Sequence, residues 1–145
     1  MKLLDYVSIF ITLIIIVSLF ILGLNSEYIL EVPIAKAESV KTLDSEIDRL
    51  STKYEVASSS IRAIINCESQ MYGDAIHYNR LKDGTIWSID YGPLQINDYY
   101  HEKIMKDLEL NIKNQWESLE YGFMLFKSQG SKPWNASSKC WSKII

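Results

Sequence analysis

The chain has 145 residues, of which 48% are hydrophobic and 23% charged, and carries a formal net charge of −3 at pH 7. That length allows one domain with one core, and the composition excludes a disordered chain beyond the apolar N-terminus. With no basic stripe anywhere in the sequence, nucleic acid is excluded as the expected partner.

Residues 6–24 form the unbroken apolar run YVSIFITLIIIVSLFILGL, preceded by Lys2. It is about the length a helix needs to cross a bilayer, so residues 1–25 are predicted to be a signal peptide or a membrane anchor. Length favours the anchor, whereas Ala35-Lys36-Ala37 has the small-x-small form of a cleavage site. Either outcome exports the rest of the chain, and an uncleaved helix makes the membrane a partner. Residues 26–39, with Pro33 and no periodic pattern, read as a linker, and the domain is expected over 40–145.

Within that domain Val40, Leu43, Ile47, Leu50 and Tyr54 recur at three- and four-residue steps, which predicts an amphipathic helix packed on a core. A coiled-coil stalk is the competing reading, with fewer than three heptads to support it. A second helix is expected to open at Ser58-Ser59-Ser60, whose hydroxyls can cap the first-turn amides. Its apolar stripe is Ile61, Ile64 and Ile65. Glu68 stands four residues after Ile64 and so falls on the same face. A carboxyl there is partly desolvated and near a helix C-terminus, and both effects raise its pKa toward what a general acid needs. Gly73 offers a helix stop.

Between Gly73 and Asp90, the strand formers Ile76, Tyr78, Thr85, Ile86 and Trp87 flank Lys82-Asp83-Gly84, predicting a small antiparallel hairpin. Tyr91-Gly92-Pro93-Leu94-Gln95-Ile96-Asn97 predicts a turn running into a short helix. Further on, Trp116, Leu119, Tyr121, Phe123, Met124 and Phe126 predict a helix closed by Gly130. Cys67 and Cys140 belong to no C-x-x-C pair. In an oxidising compartment they can form a disulfide, and two separate buried thiols are the alternative. His101-Glu102 lacks a second histidine four residues away, so no metal and no cofactor are expected. Asn135-Ala136-Ser137 fits a glycosylation sequon, read as chance.

Glu68-Ser69, then Asn79 and Asp83-Gly84, then Asp90-Tyr91-Gly92 and Leu94-Gln95-Ile96-Asn97 form an ordered set. The set resembles the lysozyme-like superfamily. Glu-Ser at a helix end with Gly-x-x-Gln-Ile after it is similar to SLT-type lytic transglycosylases, and Asp-Tyr-Gly-x-Leu-Gln-Ile-Asn is also very close to animal lysozyme. The resemblance spans residues 43–141. It implies an α+β, mainly helical, lysozyme-like domain with one small antiparallel hairpin, acting on the glycan strands of peptidoglycan. It matches Glu68 to the catalytic acid, Asp90 to an auxiliary second carboxylate and Gln95 to a residue of the sugar groove. Tyr91, Trp87, Tyr121 and Trp134 can stack on sugar faces, while Asn79, Gln95 and Asn97 can bond hydroxyl and acetamido groups.

The expected activity is that of a lytic transglycosylase cleaving the MurNAc-GlcNAc β-1,4 bond. Two alternatives stay open: a muramidase using Glu68 and Asp90, and a non-catalytic glycan-binding module. The chain is expected to be a monomer that works in an extracytoplasmic space, with secretion or envelope machinery as a further partner. For Asp90, a turn-forming aspartate bonding backbone amides is the competing explanation.

Overall fold

The computed structural model describes residues 11–18 and 41–145. Residues 11–18 are helical, and among the described residues no helix is long and apolar enough to cross a membrane. The rest of the expected signal peptide or anchor, the linker over 26–39 and Val40 lie outside the described residues. The chain divides into two units, Met1–Ser39 and Val40–Ile145, and the second is mixed α+β and mainly helical.

Helix α1 (Leu43–Tyr54) starts at Thr42, whose side chain accepts from Ser45 N while Ser45 accepts from the Thr42 amide, so two first-turn donors are satisfied reciprocally. It buries Ile47 and Leu50 as the spacing predicts. Helix α2 (Ser58–Ser69) buries Ile61, Ile64 and Ile65. Two details differ from expectation. The N-cap is Ala57 with no side-chain cap bond, because Ser58, Ser59 and Ser60 already lie inside the first turn. The helix also stops at Ser69, since Gln70 (φ 54) and Met71 (φ 67) turn left-handed. Gly73 comes too late to end it. Instead, a Cβ there would lie 2.7 Å from Gln115 Oε1.

Strands β1 (Ile76–Arg80) and β2 (Ile86–Tyr91) form the expected hairpin. Its turn runs through Gly84 at φ 86, and Asp83 Oδ1 accepts from Thr85 N. Sequence reading did not anticipate β3 (Ile96–Asn97), which pairs with β2 to give an antiparallel sheet in the order β1-β2-β3. A register shift between Asn79 and Arg80 leaves Trp87 as the extra residue of β2. The segment expected to run from turn to short helix is therefore a turn, a two-residue strand and then α3 (Asp98–Asp107). Next come α4 (Gln115–Gln129), ended by Gly130 at φ 63, a 3-10 turn (Lys132–Ser137) and α5 (Ser138–Trp141). The disulfide Cys67–Cys140 joins α2 to α5, so the two-thiol alternative does not hold.

The core gathers Ile47, Leu50, Ile61, Ile64, Ile65, Leu94, Leu119 and Phe123 between helices and sheet. Gly122 lets α4 approach Leu94 closely, because an added Cβ would sit 2.3 Å from Leu94 Cδ1 and 3.2 Å from its Cβ. The Leu94 carbonyl accepts from Trp134 Nε1 at 2.8 Å, so Leu94 cannot give way without moving the turn that carries Gln95. A Gly122→Ala variant is expected to lose about 1–3 kcal/mol. Thermal unfolding checks this, and an unchanged midpoint would contradict the close approach.

Candidate active site

A cavity of about 250 Å³ is lined by Glu68, Asp90, Gln95, Asn97, Tyr100, His101 and Trp134, among others. Glu68 comes from the last turn of α2, on the face already committed to the core by Ile61, Ile64 and Ile65. Its carboxyl is about half-buried, and this burial pushes its pKa above the ordinary glutamate value. A hydrogen bond from Ser137 Oγ to Oε1 at 2.5 Å works against that rise. The negative charge of Asp90 adds to it. A glutamate standing free in solvent at a helix end would have neither this burial nor the bond from Ser137.

Asp90 lies on β2, paired with Asn97 of β3 and with His77 of β1. The alternation of a strand puts Ser88 and Asp90 on one face and Ile89 and Tyr91 on the other. Asn79 faces Ser88 in the register, so Asn79, Ser88, Asp90 and Asn97 form one polar face of the sheet. Asn79 Nδ2 donates to Asp90 Oδ2 at 2.8 Å, and Asn97 Nδ2 donates to Oδ1 at 2.6 Å. Asn97 Nδ2 also reaches Ser88 Oγ at 2.9 Å. That orientation leaves Asn97 Oδ1 buried with no partner among the described residues, so the amide serves the carboxylate at the expense of its own carbonyl. Asp90 is thus a strand residue gripped by two side-chain amides, and the turn-forming alternative fails.

The other expected residues divide. Trp134 is 4% exposed yet lines the cavity, pinned by its bond to Leu94 O. Gln95 also lines it, at φ 50, but its amide nitrogen is spent on Gly92 O (2.9 Å) and Ala75 O (3.3 Å), so it holds the turn. Tyr91 does not join them. At 9% exposed, it borders a separate cavity with Asp74 and Lys113, as the strand alternation from Asp90 requires. Tyr121 is a second correction: at 4% exposed it belongs to the core, with its hydroxyl 3.0 Å from His101 Nδ1. Trp87 is exposed, edge-on to Tyr99 at 5.7 Å.

Sequence reading missed Ser137, Ser88, Tyr100 and His101. His101 is half-buried, and burial lowers its pKa, which favours the neutral ring. The hydrogen bond between Nδ1 and the Tyr121 hydroxyl orients the ring in the cavity wall. Among the described residues, no group of three His, Cys, Asp or Glu is placed to hold a metal ion. The cavity brings together Glu68, whose pKa burial raises, and Asp90, whose two oxygens accept from Asn79 and Asn97. No family model, curated protein or solved structure matches the chain.

Proposed function

We propose that this chain is a lysozyme-like glycosidase that cleaves β-1,4 bonds in peptidoglycan glycan strands, with Glu68 as general acid. One observation carries the reading: a carboxyl whose pKa burial raises shares a cavity with an aspartate whose two oxygens accept from Asn79 and Asn97. Most glycoside hydrolases work with such a pair of carboxyl groups in unlike surroundings, one supplying the proton and the other facing the sugar. Lysozyme is the best-known example of such a pair, with an acid in an apolar pocket beside an ionised aspartate. Glu68 gives its proton to the glycosidic oxygen, the C1–O bond breaks, and the bonding electrons leave with that oxygen. The resulting oxocarbenium-like sugar faces Asp90, and the Glu68 carboxylate then takes a proton from whatever attacks C1.

Two endings are open to that intermediate. Attack by the muramic acid 6-hydroxyl gives a 1,6-anhydro product, the transglycosylase outcome that the Glu-Ser and Gly-x-x-Gln-Ile motifs suggest. Attack by water gives a reducing end, the muramidase outcome. The grip of Asn79 and Asn97 on Asp90 favours the second, because one carboxylate suffices for the first. Under the muramidase ending, an Asp90→Asn variant is expected to lose at least about a hundredfold in kcat. A loss of only a few-fold, with 1,6-anhydro products, would assign the transglycosylase ending.

The Cys67–Cys140 disulfide suits an oxidising, extracytoplasmic compartment, in line with an N-terminal segment that exports the domain. Membrane attachment, a monomeric state and work beside a secretion apparatus belong to the same proposal.

A further inference from the structure

We propose that Ser137 is a positioning residue for Glu68, whose hydroxyl turns to Oε1 as the carboxyl gives up its proton and so meets the charge that forms there. The inference deepens the glycosidase reading and rests on it. Ser137 Oγ lies 2.5 Å from Glu68 Oε1 and 3.1 Å from the Trp134 carbonyl oxygen. A hydroxyl has one proton, so it serves one of these acceptors at a time. The Trp134 carbonyl also accepts from Trp141 Nε1 at 3.0 Å, so it keeps a donor when the hydroxyl turns away.

Two complete arrangements follow. With a proton on Oε1, Glu68 donates to Ser137 and Ser137 donates to Trp134. With Glu68 ionised, Ser137 donates to the carboxylate. The second hydrogen bond has a charged acceptor and is the stronger. An interaction that strengthens as the proton departs speeds the step instead of merely binding substrate.

The other groups around Glu68 do not do this. Asp90, from β2, opposes its charge. His101, from α3, is held toward its neutral form by burial. Among the described residues, no lysine or arginine lines the cavity. Ser137 is the hydrogen-bond donor that favours the charged form of Glu68. A covalent tie keeps the pair together, because Cys67, next to Glu68, is bonded to Cys140, three residues beyond Ser137.

The test uses the full chain in detergent, comparing wild type with Ser137→Ala. The Glu68 carboxyl is titrated by ¹³C NMR without substrate, and kcat on purified peptidoglycan is followed against pH. In the Ala variant the titration is expected to move to higher pH, with the alkaline limb of kcat following. Turnover should fall about tenfold with KM little changed. Ser137→Thr and Ser137→Val, alike in shape and different in the hydroxyl, repeat the comparison: Thr restores both readouts and Val does not. A Glu68 titration that stays in place, or moves to lower pH, in a folded Ala or Val variant overturns the proposal even if kcat falls. Should the wild type release no muropeptides, the glycosidase reading fails, while the titration still decides whether Ser137 controls Glu68.

Discussion

Replacing Glu68 with glutamine is expected to lower glycan cleavage by about a thousandfold while leaving the fold and glycan binding in place. Glutamine keeps the shape and the hydrogen bond from Ser137 but has no proton to give, and positioned proton transfer is worth about 10²–10⁴ in rate. The same variant changes stability in a pH-dependent way. Burial raises the folded-state pKa of Glu68 above its unfolded value. Its neutral form therefore contributes stability that is fully present below the unfolded pKa and is lost as pH rises through the folded pKa. Glutamine stays neutral throughout. Calorimetry should show the variant melting above wild type at pH 7, with the gap closing near pH 3. A wild type that is the more stable form at pH 7 would mean that Glu68 is not held in a desolvated place.

Removing the disulfide, by Cys67→Ser with Cys140→Ser, is the largest expected stability loss. The bond spans a sequence separation of 73, and closing so long a loop restricts the unfolded chain by about 4 kcal/mol. In a domain of this size the melting midpoint should drop on the order of 20 °C. Activity should fall below the unfolding temperature as well, because the bond anchors the end of α2 that carries Glu68 to the segment that carries Ser137. Melting curves and turnover of the double variant measure both effects. A drop of only a few degrees with unchanged turnover would show that packing alone holds these segments together.

Short-range signals in the sequence were the reliable ones. The stripe Ile61, Ile64 and Ile65 became the buried face of α2, Asp83-Gly84 became the hairpin turn, and Gly130 ended α4. The end of α2 was misread because Gln70 and Met71 adopt a left-handed backbone that glycine usually supplies, which drew attention to Gly73. Tyr91 was misplaced for an avoidable reason: once Asp90 faces the cavity, its strand neighbour must face away. Tyr121 shared its helical spacing with core residues, and the core claimed it.

Ser137 was hidden for a different reason. It lies 69 residues from Glu68, and the motif around it suggested only a glycosylation sequon. The one usable signal was indirect, since pairing Cys67 with Cys140 brings their neighbours Glu68 and Ser137 close. The sequence suggests Asn79 and Asn97 as sugar ligands, and the fold adds a second task, since both amides hold Asp90. That role comes from the register of β1, β2 and β3, which no local pattern encodes.

The most direct test of the central claim is mass spectrometry of muropeptides released from purified peptidoglycan by the full chain, with the Glu68→Gln variant as control. The account predicts soluble disaccharide-peptides from the wild type, ending in reducing or 1,6-anhydro muramic acid, and none from the variant. Wild type that binds the wall but releases nothing, or a variant that releases as much as wild type, would contradict Glu68 as the acid that cleaves the glycan.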